Sequence, residues 1–317
     1  MTLKEQLLKR FIQNQDIYLS GSELAAEFHV SRAAVWKAVK ALKEDGFEIV
    51  SSGVKGYCFT NGNDFLSADV IRSLAEEIDA PLYVFETIDS TNNYAKVLAS
   101  QNAPHGTVVI ANHQSAGRGR QGHSFYSPKN SGLYFSIVLR PQNTEHLSRL
   151  TPAAAVAAVR AIEETCGIRP GIKWVNDLFL QKKKIAGILS EAISDFETGR
   201  ISAVIIGIGI NCRPMTFPDE LAEIAGSLSQ KTLSRNALAA SLWKNLLWYT
   251  DHLEDPGLMD LYRRDSLILN KEILYTQNNE TFHARVKGIN DEGNLILLKP
   301  DGSEELLSSG EISVRDW

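Results

Sequence analysis

The chain has 317 residues, about twice the roughly 150 of an ordinary domain, so two or three domains are expected rather than one small module. Hydrophobic residues make up 44% and charged residues 22%, with 22 Gly and 10 Pro, which excludes a collagen, a disordered tail protein and a coiled coil. The net charge of −5 argues against a protein that coats nucleic acid indiscriminately, but a global sum leaves room for a local basic face.

At the N-terminus, Thr2-Leu3-Lys4-Glu5 turns polar at once and forms no apolar signal-peptide core, so a cytoplasmic protein is expected. Leu3, Leu7, Leu8, Phe11 and Ile12 recur at helical spacing and predict a first helix. Tyr18-Leu19 leads into Ser20-Gly21-Ser22-Glu23, where Ser20 and Glu23 fit a capping box for a second helix over 23–28. Ser31 caps a third over 32–44, with Ala34, Val35, Ala38, Val39 and Leu42 on its inward face. That helix carries Arg32, Lys37, Lys40 and Lys43, and no acid stands between Ser31 and Lys43. After Gly46 the period changes to two in Phe47-Glu48-Ile49-Val50; Ser52-Gly53 turns and Tyr57-Cys58-Phe59 returns as a wing. The order predicts a winged helix-turn-helix in which Ser31, Arg32, Lys37, Lys40 and Lys43 meet DNA phosphates. Winged helices also serve as protein-docking modules, and the order of elements leaves that reading open.

Asn61-Gly62-Asn63-Asp64 reads as a linker into a large domain in which helices and strands alternate to about residue 265. The strand Tyr83-Val84-Phe85 ends in Asp89-Ser90-Thr91-Asn92, whose side chains either cap the helix over 93–100 or bind a polar ligand there. Thr107-Val108-Val109-Ile110 opens into Gln114-Ser115-Ala116-Gly117-Arg118-Gly119-Arg120-Gln121-Gly122, expected to be a mobile loop. Its glycines allow close backbone approach, and its arginines present planar forks that match carboxylate or phosphate oxygens. No Asp or Glu occurs from Ser90 to Thr144, so Lys96, Arg118, Arg120, Lys129 and Arg140 have no acid near them in sequence, as an anionic substrate would require. The loop is neither a Walker A nor a Rossmann fingerprint, and a plain flexible loop is the competing reading.

An Ala-rich helix over 153–162 follows, then Ile172 to Leu180, with the polar turn Asn176-Asp177 between two apolar strands. Lys182-Lys183-Lys184 begins a strand with Gly187 a few residues in, a place where an ammonium can meet an anion lying on bare backbone. The apolar strand Ile201 to Ile210 carries Gly207 and Gly209 and is too short and interrupted to span a bilayer. Cys58, Cys166 and Cys212 lie far apart without a Cys-x-x-Cys pair, so neither a disulfide framework nor a protein-held metal site is expected. The tail from Lys271 alternates strands with turns at Asn278-Asn279, Asp291 to Asn294 and Asp301-Gly302, which reads as a small SH3-like β-barrel.

Asp89-Ser90-Thr91-Asn92, Gln114 to Gly122, Lys173-Trp174-Val175-Asn176-Asp177, Lys184 to Leu189 and Gly207-Ile208-Gly209-Ile210-Asn211, in that order and spacing, closely resemble the motif series of biotin protein ligases. With the winged head, the resemblance is to the bifunctional BirA-type ligases that double as biotin-operon repressors, and it covers essentially the whole chain. It implies an α+β multi-domain fold: a winged helix-turn-helix over 1–63, a mixed α/β catalytic domain over 64–268 and an SH3-like β-barrel over 269–317. It also implies that biotin and ATP, with Mg²⁺, give biotinyl-5′-AMP, whose biotinyl group passes to a lysine of the biotin carboxyl carrier protein of acetyl-CoA carboxylase.

Carried over by resemblance, Ser90, Thr91, Asn92, Gln114, Gly117, Gly119 and Gly187 hold biotin, with Lys184, Arg118 and Arg120 as the catalytic cations beside it. Phe125, Lys173, Asn176, Asp177 and Asn211 line the nucleotide side, Asn176 and Asp177 serving the phosphates and Mg²⁺. The partners implied are the carrier protein, biotin-operon operator DNA and a second copy of the chain once biotinyl-5′-AMP is bound, with no membrane. Four positions depart from the family pattern. Val175 replaces the usual proline and is expected to loosen its turn, Phe125 replaces a stacking Trp, and Gln121 and His123 stand where Arg is common. The rival reading is a transcription factor that senses biotin without catalysis.

Overall fold

The computed structural model describes residues 2–314 except 15, 46, 61–65, 143, 195–196, 198, 229–232, 278–279 and 311. The expected linker Asn61 to Asp64, the 63/64 boundary and the turn at Asn278-Asn279 lie outside the described residues.

The head is built by three amphipathic helices, Leu3–Ile12, Gly21–Glu27 and Arg32–Glu44, and a small sheet in which Gly56–Phe59 lies between Tyr18–Leu19 and Ile49–Ser52. Leu7, Leu8, Phe11, Leu24, Val35, Val39 and Leu42 close one core, as helical spacing requires. Ala34 and Ala38, expected inside, are only half-buried at its edge. The capping box is in the first helix, where Thr2 and Glu5 bond reciprocally; Ser20 instead accepts from the Ser22 amide and caps a helix that begins at Gly21. Ser31 accepts from the Ala34 amide at 3.1 Å, and the third helix ends at Glu44 as expected.

The central part has a seven-stranded mixed sheet. In spatial order it runs Leu82–Phe85, Thr107–Ala111, Gly132–Leu139, Ile201–Asn211, Lys183–Ser194, Asp177–Leu180 and Gly171–Lys173, antiparallel except for the first pair. The Ala-rich helix, Leu150–Cys166, packs on Arg235–Asp251, its small side chains allowing close approach, and these helices join the sheet in one large core. The described tail residues form a five-stranded antiparallel sheet ordered Glu304–Leu307, Leu295–Leu298, Glu280–Ile289, Glu272–Gln277, Ile312–Val314, with no ladder between the two outer strands to close it as a barrel. Its apolar face, including Ile273, Tyr275, Val286 and Leu297, is continuous with the central core.

Helix Ala68–Leu74 stands between two cores. Val70 packs in the head and Ile71 in the central part, Leu74 touches both, and Lys9 pairs with Glu76 just beyond it. No helix among the described residues is long and apolar enough to cross a membrane, and no disulfide joins the cysteines.

Candidate active site

The site starts from bare backbone. In the central ladders Gly209 lies opposite Gly187, and Gly207 opposite Ser136 and Leu189, so neighbouring strands present a strip without side chains. A Cβ at Gly209 would stand 2.4 Å from the Phe125 ring, and one at Gly207 only 2.1 Å from Asn92 Oδ1. A methyl at either position would have to displace a side chain of the site, the Phe125 ring or the hydrogen-bonded Asn92 amide, which explains glycine inside an apolar strand. Above this strip is a cavity of about 380 Å³, within the roughly 300–1,000 Å³ of small-molecule sites.

One end of the cavity is neutral and hydrogen-bonded. Helix Thr91–Ser100 begins there, and its N-cap Ser90, buried, makes no side-chain capping bond. Capping is therefore not what holds Ser90 at this position. Gln114 Oε1 accepts from the Thr91 amide at 2.9 Å, and Gln114 Nε2 donates to Ser127 Oγ at 2.9 Å. Ser136 Oγ lies 2.7 Å from Thr91 Oγ1 and 2.6 Å from Asn92 Oδ1, while Asn92 Nδ2 donates to Glu191 at 2.9 Å. This chain fixes the rotamers of the groups facing the cavity next to the positive end of a helix, where a ligand carbonyl oxygen is favoured. Ser136 and Glu191 were not anticipated; the one signal was a lone polar residue inside the apolar run Gly132–Leu139.

The other end is charged. Lys184 Nζ lies 2.8 Å from Asp177 Oδ1, which is buried and takes no hydrogen bond. Arg120 Nη1 donates to Asn176 Oδ1 at 3.0 Å, and Asn176 Nδ2 donates to the Ile188 carbonyl at 2.8 Å. Lys173 lines the same end, its ammonium 5.5 Å from the Phe179 ring centre. The turn at Val175 is held despite the missing proline. Trp174 Nε1 donates to Gly293 O at 2.8 Å, Tyr262 Oη donates to Val175 O at 3.0 Å, and the Trp174–Val175 peptide is cis.

The acid-free stretch is compensated from elsewhere in the chain. Lys96 pairs with Glu191, Arg118 Nη2 stands 3.6 Å from the same carboxylate, Lys129 pairs with Glu86, and Arg140 donates to the carbonyls of Ala99, Ala103 and Ser202. Burial pushes the Glu191 carboxyl up, but the bonds from Lys96 and Asn92 and the nearby Lys96 and Arg118 charges outweigh it and hold it below the ordinary range. The loop expected to be mobile folds on itself: Gly119 N donates to His123 O at 2.7 Å, and Arg118 bridges to Ser124.

Ser90, Thr91, Asn92, Gln114, Arg118, Gly119 and Arg120 thus border one cavity with Phe125, Lys173, Asn176, Asp177, Lys184 and Gly187. Gly117 and Asn211 do not line it. A Cβ at Gly117 would lie 2.4 Å from Phe125 O, so that glycine shapes the loop, and Asn211 Nδ2 is bonded to Gly226 O. Gln121 is exposed, at a φ of 52°, and His123 borders the cavity. Gly310, Ile312 and Ser313 of the tail also line it, without any motif to announce them. Among the described residues no cluster of three acidic, His or Cys side chains forms a metal cage. One carboxylate and one amide, Asp177 and Asn176, fit a Mg²⁺ held mainly by substrate phosphates and water.

On the head, Ser31 spends its hydroxyl on the cap, and Lys43 Nζ donates to Ser51 Oγ at 2.8 Å. Lys40 lies 3.7 Å from Glu44, whereas Arg32 and Lys37 are exposed with no ion pair or hydrogen bond among the described residues.

Residues 84–211 match the biotin/lipoate A/B protein ligase family, 4–58 a helix-turn-helix domain and 268–315 the biotin protein ligase C terminal domain. The chain is 35% identical to the bifunctional ligase/repressor BirA of Bacillus subtilis, covering 97% of this chain and 98% of the relative. To the protein of the same description from Escherichia coli it is 30% identical, over 93% and 92%. A solved structure of biotin protein ligase from Aquifex aeolicus in complex with biotin and ATP is similar at a TM-score of 0.64 and 27% identity, covering 74% of this chain and 98% of that one.

Proposed function

From the premise that this chain belongs to the biotin/lipoate protein ligase family, in its bifunctional ligase/repressor form, we propose that its cavity joins biotin to ATP and passes the biotinyl group to a lysine of a biotin carrier domain. The observation that carries the reading is one cavity with a neutral, helix-capped end and a cationic end, where Lys184, Arg120 and Lys173 meet Asn176 and Asp177. Joining a carboxylate to a triphosphate sets two anions against each other, so charge neutralisation and alignment do the catalysis, and no protein nucleophile is needed.

Ser90, Thr91, Asn92 and Gln114 receive the polar ring of biotin, with Gly119 and Gly187 allowing close approach. Lys184 exchanges Asp177 for the biotin carboxylate and the α-phosphate. A carboxylate oxygen attacks the α-phosphorus and pyrophosphate leaves; a carrier lysine amine then attacks the acyl carbon and AMP leaves. Arg118 and Arg120 close over the adenylate from the folded loop, while Phe125 and Lys173 border the nucleotide. Asn176 and Asp177 would hold Mg²⁺, which supplies charge neutralisation between the phosphates.

The division into 1–63, 64–268 and 269–317 follows from this reading, with operator DNA bound by the head through Arg32, Lys37 and Lys40 and a dimer formed on biotinyl-5′-AMP. The carrier is assigned as that of acetyl-CoA carboxylase and the compartment as the cytoplasm. Intact-mass analysis of a carrier domain after incubation with the protein, biotin, ATP and Mg²⁺ tests the ligase. An ATP-dependent gain of one biotinyl group is expected; biotin binding without transfer or pyrophosphate release would leave a sensor in its place.

A further inference from the structure

On the third helix of the head, packing is done by Val35, Val39 and Leu42, all buried. Trp36 is not part of that core: it is 54% exposed, about a quarter turn around the helix from the buried row. It stands one helical turn from Arg32 and one from Lys40, with Lys37 beside it, so cations surround the indole along the exposed row. Lys40 Nζ lies 5.7 Å from its ring centre, which leaves the rest of the indole to solvent. A large indole left half in water outside the core, set among cations, points to an anionic polymer with an apolar feature at the same depth.

A B-form major groove is about 12 Å wide and admits one helix. With the row Arg32, Trp36, Lys40 turned into the groove, the long cationic side chains above and below it reach back to phosphates, and the indole between them faces the floor. There the thymine C5-methyl is the one apolar group among the base edges. We propose that Trp36 is the specificity-determining residue of the head and reads thymine methyls on the floor of the major groove. The proposal rests on the DNA-binding reading of the head and adds to it the kind of base that is read.

The test uses the full-length protein and a duplex that it selects from a random-sequence library. Trp36→Ala is expected to bind the selected duplex about 5- to 150-fold more weakly, the range of one good base contact, while its non-specific affinity and salt dependence match the wild type. A misfolded head would lose those as well. Replacing thymine by uracil at one or two positions is expected to cost the wild type a similar factor and Trp36→Ala nothing further, with Trp36→Phe in between. Wild-type preference in Trp36→Ala, or uracil losses that add in full to the substitution, overturns the proposal. If the wild type selects no sequence at all, the DNA reading itself fails, an outcome distinct from either.

Discussion

The Arg120 guanidinium donates to the Asn176 side chain at 3.0 Å and so ties the Gly-Arg loop to the turn at the cationic end of the cavity. Arg120→Gly removes both that tether and the guanidinium fork proposed to close over the adenylate. Adenylate synthesis is expected to continue while the intermediate escapes faster; dissociation of preformed biotinyl-5′-AMP measures this, and unchanged retention refutes it. Glu191 gives a pH prediction. Its folded-state value is depressed, so the stability it contributes is present above the ordinary glutamate value of 4.5 and is lost as the pH falls through the folded value. The wild type is expected to exceed Glu191→Gln by about 1–3 kcal/mol near neutrality, with the gap closing in acid. Thermal melts across pH decide. Glu191 also marks a limit of reading residues in sequence. Lys96 and Glu191 are 95 positions apart, so a stretch without acids looked uncompensated until the sheet brought the carboxylate to it.

At the scale of elements, helix Arg32–Glu44 was legible to its last residue, because period and cap act within a few positions. The cavity was legible only on the strands and loops that carry glycines, cations and amides in short runs. Ile312 and Ser313 reach the same cavity from an ordinary edge strand, and Gly310 from before it, where no motif distinguishes them. The tail also acts through its loop. Arg149 donates to Asp291 O, Arg263 pairs with Asp291, and Gly293 O accepts from Trp174 two residues before Asn176. Trp174→Phe keeps an aromatic ring and deletes the donor, leaving a buried carbonyl unsatisfied at a cost of about 1–3 kcal/mol. Pyrophosphate release is expected to slow by about tenfold or more, since small displacements of positioning groups are costly; a rate equal to the wild type would show that the loop does not hold the turn.

The whole molecule is joined through Ala68–Leu74, whose Val70 belongs to the head core and Ile71 to the central one. A chain begun at 64 therefore leaves Val70 and Leu74 uncovered, each apolar side chain representing about 1.5–3 kcal/mol of burial. It is expected to melt lower and aggregate, and Val70→Ser with Leu74→Ser is expected to restore solubility; equal behaviour of both shortened forms contradicts this. The same helix sets a length. In the dimer proposed above, a rigid joint here makes protein set the gap between the two recognition helices, and DNA meets that gap in turns of about 34 Å. On that account a spacer lengthened by about five base pairs abolishes joint binding, and so does one lengthened by about ten, whereas a slack tether would tolerate the second. If the second spacer is refused, the proposed dimer acts as a gauge, responding to the interval between two sequences as well as to their letters.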